Sequence, residues 1–346
     1  MNIGVNFNLG VLDQSPVRYN DTYQTALHES IELAKICEKI GYVKYWVAEQ
    51  HNSKSLACAS PEILLSKIAS STSTMEIGSG GIMIQNYSAL KVAEQYLVLD
   101  AIYPGRISLG IGKAKGTDEL GALALAYPRS IIDSSLFSEQ VRDVLYFLGY
   151  KNTKKHAFSK LKPLPNIENM NLCPKIWLLG SSPESAKLAA SSGINFAIAD
   201  FLTPRYSYTN VANLFKRDFR ASIYQTNPEI CVALDVVCAP TEEEAMYLAS
   251  SQDLVYANSL KEIFPSDGLL PPEEAIIYLE KDKFLREILK QQKINRIVGN
   301  PIQVINKIKA LAKHYHAQYV LILTNCYSLT ARVTSYKLIA QGMNNE

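Results

Sequence analysis

Glu49, Gln50, His51 and Asn52 stand in a row in the stretch YWVAEQHN, directly after an apolar run that ends at Ala48. Polar side chains that follow a buried-looking strand suit the rim of an active site. Glu49, if part-buried, could act as a base through a raised pKa, or it could tie down a neighbouring loop or lysine. His51 carries an imidazole, which can shuttle a proton near neutral pH. Gln50 can hydrogen-bond but is neutral at every accessible pH, so it cannot. Neighbouring strand residues point to opposite faces, so Gln50 and His51 share a surface only where the chain has turned into a loop.

Three further stretches carry candidate chemistry. In LLGSSPESAKLAA, a strand ends at Gly180, Ser182 is a good helix N-cap and Pro183 fits the first helical position. Free backbone N–H groups and the positive end of the helix dipole make such a start a natural phosphate cradle. Gly180 would let a ligand approach, and the hydroxyls of Ser181, Ser182 and Ser185 could donate. On local sequence alone an ordinary capped helix, with Glu184 complementing the dipole, is the simpler reading. Gly80 and Gly81 in IGSGGIMI end another apolar run. They mark either a bulge or a close approach by a flat ligand. Lys113 and Lys115 in LGIGKAKGTD would suit an anion, although exposed lysines need no function. The glycine spacing there is not the dinucleotide fingerprint, which opens a helix directly.

The elements that must position these residues are legible as eight short apolar runs. They are Leu9–Asp13, Lys44–Glu49, Glu76–Ile84, Arg106–Gly112, Lys175–Gly180, Ile194–Asp200, Cys231–Cys238 and Tyr319–Thr324. Nearly continuous apolar character suits parallel strands covered on both faces. Helical patterns lie between them. Asp21 with Gln24 reads as a capping box, followed by a stripe of Leu27, Ile31, Ala34 and Cys37 and a stop at Gly41. Asp133 opens a second, striped by Phe137, Val141, Val144 and Leu148. Asn300 and Pro301 open a third. This alternation predicts an α/β protein with a closed (β/α)8 TIM barrel, an open doubly wound sheet being the alternative. Two connections are long, Lys113–Ile132 after the fourth strand and Ser250–Gly299 after the seventh. The second reads as an insertion forming a lid over the barrel mouth. No repeat or linker interrupts residues 1–346, so one domain is expected.

Composition excludes several classes. A formal charge of +2 with no block of five like charges leaves KNTKK, Lys151–Lys155, as the nearest thing to a basic cluster. It reads as a solvated loop, not a nucleic-acid patch. No apolar run approaches 18 residues, and MNIGVNFNLG lacks the basic lead of a signal peptide. A cytoplasmic protein is expected. The six cysteines show no CxxC pair and no metal-ligand spacing, so they read as reduced and structural, with no metal.

LDQSP, YWVAEQHN, IGSGGIMI, LKVAEQYLVLD, YPGRISLGIGKAKGTD and LLGSSPESAKLAA together resemble, in order and spacing, the bacterial luciferase-like flavin monooxygenases. The likeness spans essentially the whole chain and is nearest to the single-component luciferase-like oxidoreductases. It implies a barrel that uses reduced FMN and O2 to oxygenate a small organic substrate, hydrophobic to judge from ELGALALAYP and DGLLPP. A separate reductase would supply the flavin, since no second nucleotide-binding module is seen, and a homodimer is expected by analogy. The resemblance assigns the phosphate to Ser181, Ser182 and Ser185, with Lys113 where the family usually has arginine. It matches Gly80–Gly81 to an often cis, non-proline peptide beside the flavin ring. It also places Gln50 where the family usually has its proposed acid/base histidine. That departure keeps two alternatives in view: a flavin-binding protein without turnover, and a deazaflavin-dependent oxidoreductase.

Overall fold

The computed structural model describes residues 7–128, 130, 133–149, 156–165, 173–202, 211–222, 225–260, 268–291 and 295–344. KNTKK lies outside them. The apolar runs become β1 Asn8–Asp13, β2 Lys44–Val47, β3 Glu76–Ser79, β4 Ile82–Met83 and β5 Ile107–Gly112. They continue as β6 Lys175–Leu179, β7 Asn195–Ala199, β8 Ile230–Cys238, β9 Arg296–Gly299 and β10 Tyr319–Leu323. The helices are α1 Tyr23–Lys39, α2 Pro61–Ser71, α3 Ala89–Ile102, α4 Glu119–Ala126, α5 Phe137–Phe147 and α6 Pro183–Ser192. After them come α7 Val211–Asp218, α8 Glu242–Leu260, α9 Pro272–Lys281, α10 Lys283–Gln291, α11 Pro301–Tyr315 and α12 Leu329–Asn344.

The sheet runs β1–β2–β3–β5–β6–β7–β8–β10, and β10 pairs in parallel with both β8 and β1, which closes it. A closed eight-stranded parallel barrel therefore replaces the open-sheet alternative. Its strands are apolar on both faces because both are covered. Leu12, Trp46, Ala48, Trp177, Ala197, Cys231, Ala233, Leu321 and Leu323 fill the inside. Val11, Tyr45, Val47, Ile77, Leu109, Ile111, Leu178, Val232 and Ile322 pack outward under the helices. Trp46 and Trp177 meet edge to face at 5.4 Å between ring centroids. Below them Lys44 pairs with Glu76 and lies 4.0 Å from the Tyr319 ring centroid, so the N-terminal end of the barrel is plugged by side chains.

Two predicted boundaries shift. The run Glu76–Ile84 is not one strand. It breaks at Gly80–Gly81 into β3 and β4, both paired to β5. The α1 cap is Thr22, whose hydroxyl accepts from Thr25 N at 3.0 Å, because Asp21 is held by Arg18 at 2.6 Å. The buried face moves with it to Ala26, Ser30, Leu33, Ala34 and Cys37. The Asn300 capping box with Gln303 forms as its sequence suggests. β9 was not anticipated. It extends the β8 edge beyond the end of β7, pairing Arg296–Gly299 with Asp235–Cys238, and four residues between loops give too short a pattern to read. In the second long connection, Leu269 exchanges backbone hydrogen bonds of 2.8 Å with Val17 and Tyr19, just beyond β1. Among the described residues no helix is long and apolar enough to cross a membrane.

Candidate active site

A cavity of about 480 Å³ opens among the C-terminal ends of the strands. Its floor is apolar: Leu12, Trp46, Ala197, Ala233 and Leu321 contribute, together with Cys231. Burial pushes the Cys231 thiol pKa up, so that thiol stays protonated. Of the residues singled out in the sequence, the cavity gathers Gln50, Gly80, Lys113, Gly180, Ser181, Ser182 and Ser185. Glu49, His51 and Gly81 are not among its lining residues. A second hollow of about 440 Å³ lies between β9 and α11 and contains none of the candidates. The candidates that line a cavity therefore meet at the barrel mouth.

The serine-rich end is built by the turn from β6 into α6. Ser182 is the N-cap in extended conformation, and its Oγ accepts from Ser185 N at 3.2 Å. Pro183 starts the helix where an amide hydrogen would have no partner. Gly180 is required by a close approach: a Cβ there would lie 2.4 Å from Ser185 Cβ. Lys113, exposed just after β5, is the only charged side chain among the described lining residues. Between β3 and β4 the Gly80–Gly81 peptide is cis. A Cβ on Gly81 would sit 2.7 Å from the Gly110 carbonyl oxygen, so this segment packs tightly onto β5 while Gly80 faces the cavity.

The quartet after β2 separates by role. Gln50 faces the cavity, its backbone N–H fixed to Cys58 O at 2.9 Å. Glu49 points away from the cavity and is fully buried. Its carboxylate accepts from Met83 N at 2.9 Å, Tyr87 OH at 2.9 Å and Asn86 Nδ2 at 3.4 Å, and lies 2.8 Å from His51 Nε2. The His51 backbone N–H reaches Gly116 O at 2.8 Å, and Asn52 Nδ2 donates to Asp118 Oδ2 at 2.8 Å. The buried carboxylate thus ties the end of β2 to β4 and the turn after it, while His51 N–H, Asn52 and Asn86 hold the loop after β5, which carries the lining residues Lys113, Ala114 and Gly116. Exchanging Glu49 for glutamine turns an amide NH2 toward groups that also donate. It should lower unfolding free energy by about 1–3 kcal/mol in urea titration. A loss below ~0.5 kcal/mol would show that the network does not hold the wall.

Gln14 was quoted in the motif LDQSP but not chosen as a site residue, although it lines the cavity. Its Oε1 accepts from Asn325 Nδ2 at 2.6 Å. The signal was present: Gln14 stands just past β1, as Gln50 stands just past β2. Phe201 and Leu202, beyond β7, also line the mouth. None of the described residues of Ser250–Gly299 does, whereas Lys113, Ala114 and Gly116 represent the other long connection.

The family model described as luciferase-like monooxygenase matches residues 7–316. Among curated relatives, the uncharacterised protein YwcH of Bacillus subtilis (strain 168) is 35% identical over 97% of this chain and 98% of its own length. The N-acetyl-S-alkylcysteine monooxygenase of the same organism is 33% identical over 97% of this chain and 98% of its own. Among solved structures, apo-MsnO8 superposes with a TM-score of 0.88 at 28% identity, covering 98% of this chain and 99% of that one.

Proposed function

Because this chain belongs to the luciferase-like monooxygenase family, we propose that its cavity binds FMN and that it uses the reduced flavin and O2 to oxygenate a small hydrophobic substrate. One observation carries the reading: a single cavity joins an apolar floor to a helix start with three serines, beside the one charged side chain of its described lining. The residues present fit such a group. Ser181, Ser182, Ser185 and Lys113 would hold the phosphate, and at Gly80 and Gly180 the cavity lining is backbone, with no side chain to obstruct a ligand. When bound, reduced flavin supplies the electrons that activate O2.

The chain's own residues do the rest. Leu12, Trp46, Ala197, Ala233 and Leu321 exclude water and favour an apolar substrate. Gln50 orients an oxygen by hydrogen bonding and cannot transfer a proton. Glu49 holds the wall behind it. His51, at Glu49 and outside the lining, takes no part at the reacting atoms. A separate reductase supplies the reduced flavin and the protein acts in the cytoplasm. It does so as a homodimer, a reading supported by exposed Ile63 on α2 and Val98 and Ile102 on α3.

Mixing the protein with chemically reduced FMN, air and methyl phenyl sulfide tests the activity. Wild type should form sulfoxide carrying oxygen from labelled O2. Gln50→His should raise the share of O2 that ends in product about tenfold, the low side of what a placed acid contributes. Hydrogen peroxide as the sole product of both proteins would favour flavin binding without turnover, the reading that Gln50 at the cavity wall otherwise supports.

A further inference from the structure

We infer that Gln14 is a specificity-determining residue: Asn325 leaves its amide NH2 to the cavity, where it selects substrates that carry a neutral carbonyl oxygen on an apolar body. The inference rests on the monooxygenase reading above and names a substrate class for the same site.

The place of Gln14 in the barrel sets its partner. In the closed ring of strands β1 lies opposite β6, so Gln14 stands across the mouth from the serine-rich start of α6. The proposed phosphate contacts come from the ends of β5 and β6, and Gly80 lies at the end of β3. What remains of the described lining, from β7 round through β8 and β10 to β1, is apolar apart from Gln14 and the Cys231 thiol. No cation stands among those residues. An ionised ligand group would lose its water there without a counter-charge, whereas a neutral carbonyl needs only one donor.

The donor is aimed from behind. The register that sets Val11 beside Ile322, carried past the strand ends, brings Gln14 level with Asn325. Asn325 Nδ2 donates to Gln14 Oε1 at 2.6 Å, so the NH2 is the part of the amide left for a ligand. Asn325 is 3% exposed, and this is its only side-chain hydrogen bond among the described residues, its own Oδ1 having none. Burying an amide for a single bond costs free energy, which a role in aiming Gln14 accounts for. The flanking residues are fixed as well. Thr324 Oγ1 donates to Val236 O at 2.7 Å, just before Asn325. Ser15, just after Gln14, is held at φ 50°, a left-handed conformation that a serine keeps only where its surroundings enforce it. Its N–H goes to Asp13 Oδ1 at 3.0 Å and its hydroxyl accepts from Ser30 Oγ at 2.8 Å.

Two sulfides of nearly equal shape test this, the para-acetyl and para-isopropyl derivatives of methyl phenyl sulfide, of which only the first carries a carbonyl. Wild type should favour the para-acetyl compound in kcat/KM. In Gln14→Leu and Gln14→Glu that preference should fall about three- to tenfold, the size of one neutral hydrogen bond. Gln14→Glu still accepts from Asn325 but, once ionised, offers the cavity an oxygen in place of the NH2. A glutamine that served only the fold would therefore tolerate it with the preference unaltered. Infrared difference spectroscopy of the para-acetyl sulfide on flavin-free protein gives a measure that needs no turnover. Wild type should lower the carbonyl stretch, and both variants should return it toward its value in an apolar solvent. A preference that stays the same in both variants, or a stretch that does not respond to them, overturns the inference. If wild type still forms both sulfoxides, the monooxygenase reading stands and this inference alone falls. Riboflavin binding weakened in both variants by the same factor assigns Gln14 to the flavin and also overturns it. A lowered stretch that both variants abolish, in a protein that forms no sulfoxide, keeps the carbonyl site and removes the oxygenation reading.

Discussion

Replacing Arg332 with methionine should lower unfolding free energy by about 3–5 kcal/mol, because it leaves the buried Asp13 carboxylate without its counter-ion. Arg332 Nη2 donates to Asp13 Oδ1 at 2.7 Å and its Nε to Thr324 O at 3.0 Å, with both side chains almost wholly buried. Asp13 also accepts from Tyr45 OH at 2.7 Å and Ser15 N at 3.0 Å. One ion pair on α12 therefore fastens the ends of β1, β2 and β10, the strands that bring Gln14 and Gln50 to the cavity. Burial alone would raise the Asp13 pKa, but the Arg332 guanidinium and the hydrogen bonds outweigh it and hold the carboxyl below its usual value. A carboxylate lowered on folding contributes stability above its unfolded pKa of about 3.9 and loses it as pH falls through the lower folded value. In Arg332→Met burial is no longer opposed by the guanidinium, so the Asp13 pKa rises. Protonating Asp13 then no longer costs the variant stability, so its deficit against wild type should be largest near neutral pH and shrink in acid, as urea titrations at pH 7 and pH 4 would show. A variant within ~1 kcal/mol of wild type at pH 7, with a deficit that does not change with pH, would remove this pair from the account of the barrel's closure.

The second large effect concerns the ligand. Lys113→Ala should weaken FMN binding about 10–100-fold, as expected for loss of a charge-assisted contact, and leave riboflavin within about twofold. Lys113→Arg should tighten FMN, because a guanidinium can meet a phosphate with two parallel donors where an ammonium offers one point charge. Isothermal titration of both ligands against the three proteins reads the difference. Equal losses for FMN and riboflavin in Lys113→Ala would mean that the lysine supports the loop and does not meet the phosphate.

Strand existence and the closed barrel were legible because near-continuous apolar runs at parallel-strand length have few other uses. Tyr45, Trp46 and Val47 are all buried, one set facing inward and the other under helices. The α6 start was legible down to its cap, since Ser182 and Pro183 act locally. What failed to show in the sequence depends on distant partners. Thr22 displaced Asp21 as cap only because Arg18 claims the aspartate. β9 exists because β8 runs on past the residues that β7 covers, and Arg296–Gly299 pair with its last four. Glu49 offered two readings in sequence. Its distance from the cavity lining and its donors, Met83, Tyr87 and Asn86, are set by tertiary contacts. Gln14 was readable by the rule that drew attention to Gln50, and the cavity includes both.

A crystal structure of the protein soaked with FMN tests the proposed site most directly. The expected result is density for the phosphate among Ser181, Ser182, Ser185 and Lys113, with the ring system in the cavity beside Gly80. Flavin bound in the hollow between β9 and α11, or a cavity that stays empty at saturating FMN while accepting a deazaflavin, would contradict it.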